Sequence, residues 1–392
     1  MKNFFSTAAV CFFCLLSFSS FGQQVKVDQA KPYVVSKSSF VNSILGKKLN
    51  DTLTIGLSVN RTEQVVIENI RTFSETNVTA IVGRINNHNK SSFQIEISSE
   101  KVTGIATFHD EEIAYKFNSE INNTGDVITV KRVLLSDVIC LDYFSDKELE
   151  SKNANSQNRT LPNTVQQVPL YESLPGATAV LYLDFDGQTV TGTAWNSSYN
   201  SGNPIVAAPR SISNAGILEV WSRVAEDFIP FNINVTTDST VFDAAPAGRK
   251  MRVIITPTSS WYPTAVGGVA YYNSFLWTTL TPCWVFNSSY TGIAEACSHE
   301  IGHTLGLGHD GELPSTTYYT GHGTGNVGWA PIMGVGYSKY QVQWSKGEYA
   351  NADNTQDDLA IISGTINGFG YRADDHANSS TGATPLNIVG NT

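Results

Sequence analysis

One run of twelve residues constrains the fold more than any other part of the chain. Residues 299–310 read His-Glu-Ile-Gly-His-Thr-Leu-Gly-Leu-Gly-His-Asp. On a helix, His299 and His303 lie four residues apart and therefore share one face. Gly306 can turn the chain out of that helix at low cost, which would bring His309 back to the same point. The run therefore predicts a helix end at which three imidazoles bind one metal ion.

These ligands favour Zn²⁺ in a catalytic site. Three neutral histidine nitrogens with one open position are typical of catalytic zinc, whereas a structural site is closed by a fourth protein ligand. Glu300 follows the first ligand and is placed to reach water at the metal rather than the metal itself. The alternative, a set of solvated histidines at a helix end, requires the full spacing to arise by chance, in roughly one such chain in 10⁵.

The same residues resemble the extended zinc signature of the metzincin metallopeptidases. Asp310, directly after the third histidine, is similar to the reprolysin and adamalysin branch of that family. Residues 329–334 read Trp-Ala-Pro-Ile-Met-Gly and look like the Met-turn, in which a methionine packs beneath the zinc. Met333 lies 24 residues after His309, and an ordinary core methionine is the alternative for it. Tyr337 does not have the spacing of the zinc-binding tyrosine of astacins and serralysins.

The resemblance covers roughly residues 170–375 and is closest in kind to secreted bacterial, reprolysin-like metzincins. It implies an α+β fold class, in which a catalytic domain with a mixed five-stranded sheet, an active-site helix and a Met-turn follows a mostly β pro-domain. The fourth strand of such a sheet, here including Gly268, Val269 and Ala270, is an antiparallel edge beside the cleft. An unpaired edge can pair with an extended peptide, and so protein or peptide substrates are expected.

Periodicity divides the chain into regions. Residues 23–145 alternate apolar and polar side chains and are rich in Thr, Val and Ile, which predicts a β-rich N-terminal pro-domain. Residues 146–168 are polar and predict an exposed linker. Residues 169–375 mix strand and helix patterns and form the expected catalytic domain, and residues 376–392 are left as a C-terminal tail. Helices are expected over residues 213–228, 293–305 and 355–364.

The first segment predicts export. Residues 1–22 combine a positive start at Lys2 with an apolar stretch over residues 8–18, and small residues, Ser20 and Gly22, precede the expected cut. The apolar stretch is shorter than the roughly 20 residues that span a bilayer, which disfavours a membrane anchor. We therefore expect a secreted, extracellular protein without a membrane span.

Composition excludes several classes of partner. Lys+Arg 25 against Asp+Glu 35 gives a net charge of -10, and an acidic chain of this kind is not expected to bind nucleic acid, which requires a basic surface. Hydrophobic residues make up 41% of the chain, and this excludes a chain that is disordered throughout. With peptides as the expected partners, we expect the protein itself to be a monomer.

Three cysteines, Cys140, Cys283 and Cys297, lie outside the predicted signal peptide. Cys283 opens a predicted strand and Cys297 lies on the predicted active helix. Because the strand and the helix are expected to pack together, a disulfide between these two residues is one interpretation, and two buried thiols are the other.

Cys140 stands just before the predicted linker. In reprolysin-like enzymes a pro-region thiolate can occupy the open zinc position, and sulfur binds zinc well. The resemblance therefore implies that Cys140 is a zymogen switch that keeps a precursor latent. The alternative is a small buried hydrophobe at the end of a strand, because buried free cysteine is common.

Three acidic residues near the predicted strands and the zinc motif allow weaker predictions. Asp184 and Asp186 end a predicted strand and could contribute to a Ca²⁺ site, but such a site needs roughly 6–8 oxygens and a strand-end turn is the simpler alternative. For Asp310 we expect a carboxylate that accepts hydrogen bonds from nearby backbone and so fixes the turn after the third histidine.

The sequence as a whole predicts a zinc-dependent endopeptidase, made as a latent precursor, with Glu300 as general base. Two other classes are alternatives: a metzincin-fold binding protein that has lost catalysis, and a non-peptidase zinc hydrolase. The intact Glu300 and the three histidines disfavour the first, and the edge strand disfavours the second.

Overall fold

The N-terminal part of the described chain is built around one antiparallel sheet of eight strands. The computed structural model describes residues 31–73, 77–88, 90–122, 125–140, 167–374, 377 and 379–383. The predicted signal peptide and most of the predicted linker lie outside the described residues. The eight strands are β1 (Tyr33–Ser36), β2 (Thr52–Ser58), β3 (Arg61–Phe73), β4 (Val78–Ile85), β5 (Ser91–Ile97), β6 (Val102–Phe108), β7 (Ile113–Asn122) and β8 (Gly125–Leu134).

The sheet curls into a nearly closed barrel. Strands β2 to β8 pair with their neighbours in chain order, and β1 pairs back onto β8. At the seam, the ring of Tyr33 on β1 lies about 3 Å from the position that a Cβ would take at Gly56 on β2. Alternate side chains of the strands point inward, among them Leu53, Phe93 and Phe117, each exposed by 1% or less. Helix α1 (Lys37–Ile44) connects β1 to β2 and is capped by Ser36.

The expected α+β fold class is wrong. Within the described residues, seventeen strands stand beside six α-helices, and the barrel-like antiparallel sheet is the largest element. The chain is therefore mostly β. The physical reason is that the N-terminal strands close on one another and bury their own core, so they are a principal layer of the protein rather than an appendage to a helix-containing domain.

A second sheet of five strands lies in the C-terminal part of the chain. Its order is β12, β9, β13, β15, β14, with β14 antiparallel at one edge and the other four parallel. The bounds are β9 (Ala179–Asp184), β12 (Ile233–Thr236), β13 (Lys250–Ile255), β14 (Gly268–Val269) and β15 (Cys283–Val285). These strands are almost entirely buried, as expected of a mostly parallel sheet that is covered on both faces.

The helices and short strands around the second sheet complete the fold. The helices are α2 (Ala194–Tyr199), α3 (Asn214–Asp227), α4 (Ser239–Ala244), α5 (Tyr290–Thr304) and α6 (Asp358–Ile362). The short strands are β10 (Gln188–Val190), β11 (Ile205–Ala207), β16 (Trp329–Pro331) and β17 (Gln341–Gln343). Three 3-10 turns cover Leu135–Asp137, Ser274–Leu276 and Gly325–Val327. None of the helices in the described residues is long and apolar enough to cross a membrane.

The barrel packs directly against the second sheet and its helices. An apolar cluster joins Ile105 and Val133 of the barrel to Trp195 of α2, whose indole donates a hydrogen bond of 2.7 Å to the carbonyl of Pro282. The half-buried carboxylate of Glu96 on β5 accepts hydrogen bonds from the backbone amide and the hydroxyl of Thr278. The two sheets thus share this apolar cluster, while each keeps a core of its own, within a single compact unit.

Candidate metal centre

Helix α5 and the turn after it bring the predicted ligands together. The helix is capped by Ser289 and ends at Thr304, close to the predicted range. Gly306 then has a φ of +105°, which a side chain would disfavour, and the Leu307 amide donates to the carbonyl of Gly302 at 3.0 Å. The chain therefore turns at Gly306, as the sequence predicted, and His309 returns to the helix face.

The three histidines meet at one point. The Nε2 atoms of His299 and His303 are 3.0 Å apart, and the rings of His303 and His309 have centroids 4.7 Å apart. The Nδ1 atom of His299 lies 2.9 Å from the carbonyl of Ile332, and that of His303 lies 2.8 Å from the carbonyl of Leu307. Because a carbonyl can accept only from an N–H, each Nδ1 carries the proton and each Nε2 presents its lone pair.

Burial fixes the protonation state of this pair. Desolvation, followed by the charge of the neighbouring histidines, holds the pKa of His299 and His303 well below the ordinary value. The neutral imidazole is the form that binds a metal. The two ring nitrogens that face each other are therefore ready to act as ligands at neutral pH.

Cys140 supplies a fourth ligand atom. Its Sγ lies 3.4 Å from the Nε2 of His309, and the ligand atoms of Cys140 and the three histidines all lie within 4.8 Å of one another. The residue is 1% exposed. The structure therefore has a buried Cys/His group that could hold a metal ion. Three imidazole nitrogens and one thiolate are a donor set that fits Zn²⁺.

The segment that carries Cys140 pairs with the predicted substrate edge. The Cys140 amide donates to the carbonyl of Ala270 at 2.9 Å, and the Tyr272 amide donates to the carbonyl of Val138 at 3.0 Å. Ile139 and Tyr271 form an antiparallel bridge between these two bonds. Residues 138–140 thus pair with residues 270–272, directly after β14, and reach the predicted substrate edge at Ala270.

Glu300 lies between the histidines and this edge strand. Its side chain is fully buried. A Cβ placed on Gly268 would come within 2.6 Å of Oε1 of Glu300, so the absence of a side chain at position 268 makes room for the carboxylate. The predicted edge strand and the predicted general base are therefore in direct contact.

Met333 packs beneath the helix between two of the predicted ligands. It is fully buried, and its sulfur would lie 2.5 Å from a Cβ at Gly302 on α5. The preceding residue, Ile332, provides the carbonyl that orients His299. The turn around Met333 therefore supports the ligand helix both by packing and by a hydrogen bond.

Sequence reasoning missed two aromatic residues of the site. The ring of Tyr318 lies 4.4 Å from that of His309, and its hydroxyl is 3.9 Å from Sγ of Cys140. The ring of Tyr272 lies 4.5 Å from that of His303. No local pattern marks either residue, because both approach the site only through the folded loops. Tyr337 instead pairs its hydroxyl with the amide of Asn287 at 2.7 Å.

The possible disulfide between Cys283 and Cys297 is not made. Both residues are free thiols in the structure, and each is fully buried. Burial, followed by the charge of Glu300, raises the pKa of both thiols well above the ordinary value. The second interpretation, two buried thiols, is therefore the one that the structure has. The strand and the helix pack together without a covalent bond.

Asp184 and Asp186 form a strand-end turn. The Oδ2 atom of Asp184 pairs with the guanidinium of Arg252 at 2.8 Å, and its Oδ1 accepts from the Gly187 amide at 3.1 Å. Asp186 accepts from the hydroxyl of Tyr182 at 3.3 Å. The positive charge at this turn is therefore supplied by an arginine of the neighbouring strand.

The expectation for Asp310 is wrong. It is 1% exposed, and among the described residues no backbone amide donates to its carboxylate. The turn is fixed by the main chain of Asp310 instead, because its amide donates to the carbonyl of Met333 at 2.8 Å and its carbonyl accepts from the Tyr319 amide at 2.7 Å.

No protein-family model matches the chain, and the search of curated proteins found no match. The assignment of a function therefore depends on the geometry of the site.

The metal centre predicts a specific loss of zinc when one imidazole is removed. Replacing His309→Ala should lower the zinc affinity of the full chain by at least about 10²-fold, more than the 10–100-fold cost of losing an outer-shell partner. The measurement is zinc content after dialysis against a metal buffer. His322→Ala is the matched control, since this exposed loop histidine contacts Tyr319 rather than the site. Equal zinc affinity in the His309 variant would contradict the ligand assignment.

Proposed function

We propose that this chain is a secreted, zinc-dependent endopeptidase that is made as a latent precursor. The observation that carries the proposal is the convergence of three histidine nitrogens and the Cys140 thiol beside an edge strand and a buried glutamate. The spacing of residues 299–310 and the packing of Met333 beneath α5 support a site of the metzincin type.

Zinc fits the donor set better than a hard cation does. Imidazole and thiolate suit Zn²⁺, whereas Ca²⁺ and Mg²⁺ prefer oxygen ligands. His299, His303 and His309 would hold the ion, and Cys140 would close the fourth position. Bound there, zinc supplies a Lewis acid that acidifies water and polarises a peptide carbonyl.

Glu300 is the residue placed to move the proton. It adjoins the ligand helix and the edge strand, between the expected positions of the metal and of an extended substrate. Its carboxylate would accept a proton from the attacking water and deliver it to the leaving amine nitrogen. The edge strand would hold the substrate by backbone hydrogen bonds, as it holds residues 138–140 in this structure.

Latency follows from the same contacts. Residues 138–140 occupy the edge strand and bring a thiol to the ligand atoms, so a substrate and this segment compete for one place. Because the segment belongs to the same chain, its effective concentration at the site is high, of the order of mM for a short tether. Activation therefore requires that the segment withdraw, and cleavage in the predicted polar linker would permit this.

Export is proposed from the sequence of residues 1–22 alone. A peptidase that leaves the cell needs inhibition during export, and the covered site supplies it. The alternatives, a binding protein that has lost catalysis and a non-peptidase zinc hydrolase, are separated from the proposal by one assay. Cleavage of casein or gelatin that is blocked by a zinc chelator supports the peptidase.

The first functional prediction concerns Glu300. In linker-cleaved protein, Glu300→Gln should keep zinc and thermal stability but lower peptide hydrolysis by about 10²–10⁴-fold, the contribution of a positioned acid–base group. Glu295→Gln is the matched control on the same helix, and its activity should be unchanged. Retained, chelator-sensitive hydrolysis in the Glu300 variant would reject its role as general base.

The second functional prediction concerns Cys140. In the uncut precursor, Cys140→Ser should raise hydrolysis of a short peptide by at least about tenfold, because a weaker ligand competes for the open position. Because residues 138–140 stay paired with the edge strand, the uncut variant should remain less active than the cleaved protein. Cys283→Ala, which removes another buried thiol away from the ligand atoms, should stay latent.

An equally inactive Cys140→Ser precursor, at equal zinc content, would contradict the switch. In that case the thiol would be only a small buried side chain at the end of a strand, and occlusion by the strand alone would explain latency.

A further inference from the structure

Tyr318 lies against the predicted ligands from the side of the third histidine. Its ring centroid is 4.4 Å from that of His309 and 5.9 Å from that of His299. The side chain is 4% exposed, and its hydroxyl oxygen lies 3.9 Å from Sγ of Cys140. The proposed roles of the histidines, Glu300 and Cys140 leave this hydroxyl without a function, although it lies beside the thiol.

The backbone next to Tyr318 is fixed by its neighbours. The Tyr319 amide donates to the carbonyl of Asp310 at 2.7 Å, and the Tyr319 carbonyl accepts from the Val335 amide at 3.0 Å. A Cβ at Gly334 would lie 2.5 Å from the carbonyl oxygen of Tyr319, so a side chain at position 334 would push this loop away. The Tyr318 ring is therefore positioned by main-chain bonds to two segments that also border the metal centre.

The Cys140 sulfur marks the position that a substrate atom would take. Three imidazoles with one open position are typical of catalytic zinc, and Sγ of Cys140 is the fourth ligand atom of the buried group. In the proposed function the thiol withdraws, and the carbonyl oxygen of the scissile peptide bond comes to the same place. That oxygen would then lie beside the hydroxyl of Tyr318.

The separation of hydroxyl and sulfur suits a hydrogen bond that shortens during the reaction. A phenol hydroxyl is a donor, and an O–H···O bond has a length of about 2.5–3.0 Å. The Tyr318 hydroxyl would therefore have to move by about 1 Å toward an oxygen at the position of the sulfur. Catalytic hydrogen bonds are often long before the substrate binds and shorten in the complex.

We propose that Tyr318 is a further catalytic residue of the proposed peptidase, whose hydroxyl donates a hydrogen bond to the carbonyl oxygen of the scissile peptide bond. When water adds to the carbonyl carbon, the π-electron pair of the carbonyl moves to this oxygen, which becomes negatively charged. A donor that is already in place stabilises this charge where it develops. Tyr318 keeps its proton throughout, while Glu300 moves the proton of the water. The inference rests on the proposed function and adds one residue to it.

Tyr318 and Glu300 reach the site from different elements. Glu300 belongs to α5, and its Oε1 would lie 2.6 Å from a Cβ at Gly268 on β14. Tyr318 instead comes from the loop after His309 and packs on that imidazole. The proton acceptor and the hydrogen-bond donor are thus separate residues, so each can be removed without the other.

The test is Tyr318→Phe in zinc-loaded, linker-cleaved protein, because this change removes the hydroxyl and keeps the ring on His309. We expect kcat for peptide hydrolysis to fall by about 10²-fold with KM unchanged, at the low end of the 10²–10³-fold effect of one such donor. Zinc content and Tm should stay as in the wild type. Tyr319→Phe is the matched control, and its kcat should be unchanged, since the Tyr319 hydroxyl pairs with the exposed His322 at 3.0 Å.

A second readout does not use hydrolysis. A phosphinic peptide has a tetrahedral phosphorus with a charged oxygen, and so resembles the peptide group after water has added. Its Kd, measured by calorimetry on zinc-loaded, cleaved Glu300→Gln protein, should rise by about 10²-fold when Tyr318→Phe is added. The affinity of the same protein for an uncut substrate peptide should not change.

Equal kcat in Tyr318→Phe and the wild type, or equal affinity for the phosphinic peptide, would overturn the inference and leave the proposed peptidase intact. Loss of zinc from Tyr318→Phe would also overturn it, because the hydroxyl would then serve the ligand group rather than the substrate. Absence of hydrolysis by the wild-type cleaved protein would reject the proposed function, and this inference with it.

Discussion

The rest of the structure depends on the contact between the Cys140 thiol and the three imidazoles. The Cys140 Sγ lies 3.4 Å from the Nε2 atom of His309. Both sides of the contact are held firmly. Carbonyls of Ile332 and Leu307 orient two of the imidazoles, and backbone pairing with Ala270 holds the thiol. A thiol of the N-terminal part thus joins three imidazoles of the C-terminal part in one buried group that could hold a metal ion.

Two different interactions cover the proposed active site. In the proposal, the Cys140 thiol would take one ligand position, and residues 138–140, which pair with residues 270–272, would cover the substrate edge. The first depends on the chemistry of one atom, whereas the second is supported by the barrel, which packs on α2 and hydrogen-bonds to Thr278 through Glu96. In the proposed precursor both interactions would block the site, and activation would have to disrupt both.

The local features could be predicted from sequence because their causes are local. The spacing of His299 and His303 and the glycine at 306 determine a helix, a turn and a common face. The barrel closure could not be read in this way, since β1 pairs with β8 across about a hundred residues of chain, and the fold class was wrong for that reason. The contacts of Tyr318 likewise arise only in the folded loops. The role of Asp310 could not be predicted either. Its carboxylate was expected to bond to nearby backbone, whereas its main chain fixes the turn.

The most direct measurement of the central claim is zinc X-ray absorption spectroscopy of the uncut, zinc-loaded chain. The account predicts one sulfur at about 2.3 Å and three nitrogens at about 2.0–2.1 Å. It also predicts that the sulfur signal disappears in Cys140→Ser, because Cys283 and Cys297 lie outside the ligand group. A first shell of nitrogen and oxygen alone in the uncut chain would contradict the account.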